Sequence, residues 1–266
     1  MGFLIDKIKL FGYVYKLNLN KQHRDYSLID KEYNSGLWNR DINEIDFETH
    51  FGNYNRNDAE DFNLFYFKNK LEKFKRKEYQ KNVDKEFLSF FEKFHDENII
   101  ELGCGLGRNI FLLYKNDFHN LEGCDISSNA IKKLNQYAKH KNLPINFFTH
   151  DLKDPFLSKS LENKILFTFT VLEQCKHNMK NVLKNIIASK PKKVINFEVD
   201  YTSSPYLVRK YFDARDYQNN LVYELKNLES ENLITNLSII EMQYGGSPVN
   251  KLSVIQWEPS SNPITC

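Results

Sequence analysis

No sign of charge is in excess in this chain of 266 residues. Its 37 Lys and Arg stand against 35 Asp and Glu, a formal net charge of +2. That argues against a broad basic surface of the kind that holds nucleic acid. Cysteine is scarce: Cys104, Cys124, Cys175 and Cys266 form no C-x-x-C pair, which supports neither a zinc site nor a disulfide framework and fits a reducing cytoplasm. No apolar run approaches the roughly 20 residues of a membrane span. Met1 to Asp6 becomes charged too early for a signal peptide. A soluble cytoplasmic protein acting on neither membrane nor nucleic acid is therefore expected. Hydrophobic residues, at 41%, are slightly sparse, but aromatics at 14% bury enough area per side chain to build a real core.

What is present is organised around Asn98-Ile-Ile-Glu-Leu-Gly-Cys-Gly-Leu-Gly-Arg108. Ile99, Ile100 and Leu102 suit a short strand buried on both faces. Gly103, Gly105 and Gly107 can take positive φ and let a ligand approach the backbone. Ile110, Leu113 and Tyr114 then space like one face of a helix whose N-terminal amides point back at the loop. The glycines follow G-x-G-x-G, whereas dinucleotide enzymes place the third one residue later.

Further apolar runs end in acids or polar loops. Leu121 to Ile126 reads as a second strand, with Asp125 at the distance beyond the glycine loop where a carboxylate accepts bonds from ribose hydroxyls. Ser127 and Ser128 then serve to cap a helix carrying Ile131, Leu134, Tyr137 and Ala138. Ile145 to Leu152 forms a third strand finishing near Asp151, with His150 read as structural or solvent-facing. Lys164 to Gln174 is a fourth strand with its exit loop, Met179 to Ile187 a helix, and Val194 to Val199 a fifth strand. Leu237 to Tyr244 and Leu252 to Trp257, separated by Gly245-Gly246-Ser-Pro248, read as a hairpin.

With Glu101 two residues before the first glycine, the central stretch resembles motif I of the class I S-adenosylmethionine-dependent methyltransferases of small-molecule type. The resemblance extends from about residue 96 to 258. It implies an α/β fold: a Rossmann-like, seven-stranded, mostly parallel sheet with a C-terminal antiparallel hairpin and helices on both faces. It implies S-adenosyl-L-methionine as cofactor, with S-adenosyl-L-homocysteine as product. The cofactor would be held by Glu101, Gly103, Cys104, Gly105, Gly107 and Asn109, by Asp125 and Ile126, by Asp151 and Leu152 beside the adenine, and by Thr170. Thr170-Val-Leu-Glu-Gln174 resembles the family's x-V-L-E-H ending, with Gln174 in place of the histidine. Base candidates at the strand tips are His177, Glu173 and Glu198, with His177 the best matched by its ordinary pKa. No metal is required. The Asn/Asp-Pro-Pro-aromatic motif of amino-methylating DNA enzymes and the Pro-Cys nucleophile of cytosine enzymes are both missing. A small-molecule acceptor is expected, methylated on oxygen, such as a saccharide or a phosphate or phosphoramidate precursor of bacterial cell-surface polysaccharide. The alternatives are a non-catalytic partner subunit of the same fold and a nicotinamide oxidoreductase, the latter disfavoured by the glycine spacing.

The N-terminal third shows no resemblance. Residues 1–95 are expected to form a mainly helical or irregular cap with a lead-in helix, 96–266 the cofactor-binding core, and 201–236 a substrate-side insertion. Leu37, Trp38, Ile42, Ile45, Phe47 and Phe51 anchor the first part, and Leu37 to Phe67 should close over the transfer site. From Phe62 the spacing predicts helix. Leu64, Phe67, Leu71 and Phe74, then Val83, Phe87, Phe90 and Phe94, recur at threes and fours, with the phenylalanines as core. The lysines from Lys68 to Lys77 read as a solvated helix face.

Overall fold

The computed structural model describes residues 2–19, 62–156 and 160–260. Helix α1 (Gly2–Leu19) is followed, after the undescribed segment, by strands β1 (Phe62–Phe67) and β2 (Lys70–Lys75) and by helix α2 (Arg76–Ser89). The alternating core then runs β3 (Ile99–Leu102), α3 (Arg108–Tyr114), β4 (Leu121–Asp125), α4 (Ser128–His140), β5 (Asn146–Thr149), β6 (Ile165–Phe169), α5 (Met179–Ala188) and β7 (Lys193–Val199). Helices α6 (Tyr206–Arg215) and α7 (Leu221–Ser230) precede the closing strands β8 (Ile234–Glu241) and β9 (Leu252–Pro259).

The seven-stranded sheet has the order β5-β4-β3-β6-β7-β9-β8, parallel up to β7 and antiparallel at β9 and β8. This is the expected Rossmann-like arrangement with its terminal hairpin. Every residue of β3 is buried, as a central parallel strand covered on both faces requires. One face packs Phe87 and Phe91 near α2, Ile110 and Leu113 of α3, and Leu134 of α4; the other packs Val182, Leu183 and Ile186 of α5 and Leu221 and Leu225 of α7. On the first face the phenylalanines do form core: the Phe87 ring lies 5.7 Å from that of Phe167 and 5.0 Å from that of Phe197.

Strand alternation sends Thr168, Asn196 and Trp257 to the second face. There Trp257 Nε1 donates to Asn196 Oδ1 (2.9 Å) and Asn196 Nδ2 donates to Thr168 Oγ1 (3.0 Å), so three fully buried polar side chains satisfy one another.

Residues 62–75 are not a helix. They form an antiparallel hairpin in which Phe67 faces Lys70 across a two-residue turn. Lys68 and Asn69 have φ of 45° and 66°, the pair of left-handed residues that a type I′ turn needs. In Phe62-Asn-Leu-Phe-Tyr-Phe67 the apolar residues are nearly continuous, so spacings of three and four arise beside the alternation and the period misleads. The basic run accordingly spans a turn, a strand and the start of α2.

Tertiary bonds fix the hairpin. Tyr66 N donates to Gly246 O (3.0 Å) and Gly245 N to Tyr66 O (3.1 Å), docking β1 on the β8–β9 connection. Tyr79 Oη adds to this, donating to Tyr66 O (2.6 Å) and accepting from Gly246 N (2.7 Å). Phe65 stacks on Tyr79 at 4.1 Å between ring centroids. Helix α1 packs on α6 through buried Val14 and a bond from Asn18 Nδ2 to Lys210 O (3.1 Å). The expected anchors from Leu37 to Phe51 lie outside the described residues, as does the polar end of the chain beyond Ser260.

Candidate active site

A cavity of about 800 Å³ opens at the carboxyl ends of β3, β4 and β6. That is where an open α/β sheet presents its loops to ligands. Its lining includes Glu101, Gly103, Cys104, Gly105, Asn109, Asp125, Ile126, Asp151, Leu152, Thr170, Glu173 and His177. Of the residues singled out in the sequence for this site, Gly107 and Glu198 are not in the lining.

The glycine loop is built by close approach. Gly103, Gly105 and Gly107 have φ of 74°, 53° and 75°. A Cβ at Gly103 would sit 2.2 Å from Val171 Cγ2, so this glycine lets the loops after β3 and β6 meet. Gly107 serves packing: a Cβ there would strike Leu134 and Phe111 within 3 Å, and it caps α3. Thr170 is also left-handed (φ 53°), an outlying conformation for a β-branched residue, at the lip of the site.

Asp125 ties the first two loops together. Its Oδ2 accepts from Gly105 N (2.8 Å) and its Oδ1 from Ser127 N (2.8 Å), while Ser127 Oγ caps α4 by accepting from Ala130 N. Burial raises the Asp125 pKa, opposed by those amide bonds. Each carboxylate oxygen keeps a further lone pair for a ligand hydroxyl.

Glu101 lies wholly inside. Asn109 Nδ2 donates to its Oε1 (2.7 Å), whereas Oε2 is buried with no hydrogen-bond partner among the described residues. Desolvation pushes its pKa up to about 8, against the Asn109 bond. A buried acceptor left open beside the glycine loop fits the amino-acid end of a bound nucleoside ligand. Cys104 and Cys124 are also buried, which raises both thiols well above their usual range, and burial pushes Cys175 up to about 12; none is a poised nucleophile.

At the adenine-side candidates, Lys153 pairs with Asp151 (2.9 Å) and the His150 ring stacks on Phe156 at 3.9 Å. Burial holds the His150 imidazole below its usual pKa. His150 also lines the cavity.

The base candidates separate. His177 sits at the cavity's lip, 48% exposed, with Nε2 3.0 Å from Asp216 Oδ2. Glu173 is buried; its Oε1 accepts from Gln174 Nε2 (3.2 Å). Glu198 is fully buried, and its Oε1 accepts from Val171 N (3.0 Å) and Leu172 N (3.1 Å). It props the loop after β6 from beneath and is no strand-tip base, because strand alternation turns its side chain down into the fold. Desolvation pushes its pKa up to about 7 despite the amide bonds.

Several lining residues escaped the sequence reading. Arg76, Tyr79, Gln80 and Val83 come from α2 and Ser247 and Asn250 from the β8–β9 connection, whereas Phe65 of the hairpin lies in the stretch expected to close over the site. Arg108 Nη2 meets Asp84 Oδ1 at 2.6 Å, joining α3 to α2. The one available signal was the helical face through Val83; the rest depends on docking.

The family model of the methyltransferase domain matches residues 99–189, from β3 to just past the end of α5. No curated protein matches the chain. Magnesium protoporphyrin IX methyltransferase from Synechocystis PCC 6803, solved with bound SAH, is similar in structure: TM-score 0.57 and 12% identity, over 89% of this chain and 100% of that one. The PH0226 protein from Pyrococcus horikoshii OT3 aligns with TM-score 0.50 and 16% identity, over 68% of this chain and 91% of that one. At these identities the likeness is one of fold. Among the described residues, no helix is long and apolar enough to cross a membrane, and no cluster of His, Cys, Asp and Glu is arranged to hold a metal. The family match identifies residues 99–189 as a methyltransferase domain, carried on a Rossmann-like sheet.

Proposed function

We propose that the protein methylates an oxygen of a small-molecule acceptor, a saccharide or a phosphorylated precursor of cell-surface polysaccharide, in the cytoplasm. The observation that carries the small-molecule reading is the cavity of about 800 Å³, whose lining combines one set of residues, Glu101, Gly103 and Asp125, with another, Phe65, Tyr79 and Val83. The first set suits the cofactor: Gly103 to Gly105 and the Glu101–Asn109 pair for its amino-acid end, Asp125 for the ribose, and Asp151 with Leu152 for the base. The second set, from the hairpin and α2, gives an apolar, partly aromatic wall that suits an acceptor and supports the reading of residues 1–95 as a cap.

When bound, the cofactor supplies an electrophilic methyl group on an already activated sulfur. The chain must align the nucleophile with that methyl and exclude water. An acceptor hydroxyl needs a base, and His177 at the lip is the group suited to it. An ionised oxygen would need positioning alone.

Calorimetry against S-adenosylmethionine, S-adenosylhomocysteine and NAD tests the cofactor side. Binding of the first two without the third is expected; binding of NAD alone overturns it. Incubation with methyl-labelled cofactor and a panel of sugar phosphates and nucleotide sugars tests the acceptor. Label recovered only in added RNA, DNA or protein overturns the small-molecule reading.

A further inference from the structure

We propose that Asp216 is a positioning residue that makes His177 the proton acceptor of the reaction, an inference that rests on the hydroxyl-acceptor reading above. The two residues come from separate parts of the fold. His177 lies in the short 3-10 segment Leu172–Asn178 that leaves β6, and Asp216 ends α6 in the left-handed conformation with φ of 54°. The Asp216 side chain is only 16% exposed.

Its two oxygens have separate duties. Oδ2 stands 3.0 Å from His177 Nε2, while Oδ1 accepts from Lys176 Nζ at 2.7 Å. Lys176 therefore fixes the carboxylate from one side and leaves the other oxygen facing the imidazole. A carboxylate accepts and cannot donate, so it selects the tautomer with the proton on Nε2 and leaves Nδ1 as the basic nitrogen. The same carboxylate stabilises the cation that forms when Nδ1 takes a proton.

In the transfer, the hydroxyl oxygen bonds to the methyl carbon. The carbon–sulfur bond breaks with its electron pair remaining on sulfur, which becomes neutral. The hydroxyl proton passes to His177 Nδ1, and Asp216 balances the charge until that proton leaves to water. Without Asp216 the ring would lose the acceptor that selects the Nε2–H tautomer. An ion pair serving only to fasten α6 to the exit of β6 is already supplied by Lys176, so the bond to the imidazole has a separate use.

The experiment is 15N NMR of histidine-labelled full-length protein, free and saturated with S-adenosylhomocysteine, at a pH well above the ordinary imidazole value of about 6.5. Wild type should show His177 almost wholly as the Nε2–H tautomer. Asp216→Ala should collapse that preference, Asp216→Glu should restore most of it, and Lys176→Met should weaken it in part. Affinity for S-adenosylhomocysteine should stay within about threefold throughout. A wild-type His177 that is already a tautomer mixture, or one unchanged by Asp216→Ala, overturns the inference without reference to any variant's activity. Failure of wild type to bind S-adenosylhomocysteine would instead remove the methyltransferase reading beneath it.

Discussion

A Cβ on Gly103 would lie 2.2 Å from Cγ2 of Val171, so the loops that follow β3 and β6 touch at a point where only hydrogen fits. Gly103→Ala must move Val171 or the loop, and it places a side chain at φ of 74°. The left-handed conformation alone costs about 1–2 kcal/mol, and the overlap adds to it. A loss of at least about 2 kcal/mol is expected, read as a fall in Tm of about 4–8 °C. Thermal melts with and without S-adenosylhomocysteine check it; an unchanged Tm contradicts the packing.

Asp125 joins the glycine loop to α4 through Gly105 N and Ser127 N. Asp125→Ala removes both acceptors together with the group proposed for the ribose. The expected loss of S-adenosylhomocysteine affinity is about 1–3 kcal/mol, or roughly 5- to 150-fold. Titration calorimetry reads this directly, and an intact circular dichroism spectrum excludes unfolding. A change of less than a few-fold would remove Asp125 from the ligand's contacts.

Trp257, Asn196 and Thr168 form a chain of buried donors and acceptors. Asn196→Ala leaves the indole N–H without its acceptor and opens a hole beside it. Destabilisation of about 1–3 kcal/mol should follow, while affinity for S-adenosylhomocysteine changes less than threefold. Chemical denaturation and calorimetry on the same samples separate the two effects.

Glu198 and Glu101 give the free protein a slope of stability against pH. Their folded pKa values, about 7 and about 8, lie above the ordinary 4.5, so the folded state holds protons that the unfolded chain releases. Stability from these groups is full below about 4.5 and is lost as pH rises through the folded values. A shift from 4.5 to about 7 corresponds, at about 1.4 kcal/mol per unit, to on the order of 3 kcal/mol at most. Glu198→Gln keeps an oxygen for Val171 N and Leu172 N but cannot ionise. Urea unfolding at pH 5 and pH 8 should therefore show a smaller loss in the variant than in wild type. Equal slopes would mean that Glu198 is not the titrating group.

The core was readable because its signals are local. A run such as Ile99-Ile-Glu-Leu102 can bury both faces only as a central strand, and glycines at alternate positions mark a loop that a ligand must approach. Acids closing β4 and β5 follow from the same strand-to-loop boundaries. Residue identity at those boundaries is fixed by backbone conformation and hydrogen-bonding capacity, which sequence records directly. The hairpin at 62–75 was misread because its apolar residues satisfy two periods at once, and the choice fell to the docking of Tyr66 on Gly245 and Gly246.

By itself, then, the sequence determined the alternating core, its closing antiparallel pair and the glycine loop, since each needs only neighbours within a few turns of chain. Tertiary structure alone decided which carboxylates face the cavity. Glu198 and Glu173 look alike in sequence, yet the pleat of β7 turns Glu198 beneath the loop, where its carboxylate receives Val171 N and Leu172 N. It also decided the partners: Arg108 meets Asp84 and His177 meets Asp216, pairs 24 and 39 positions apart. No local pattern encodes such pairs, because the distance between their atoms is set by how helices and loops pack on the sheet and not by their spacing along the chain.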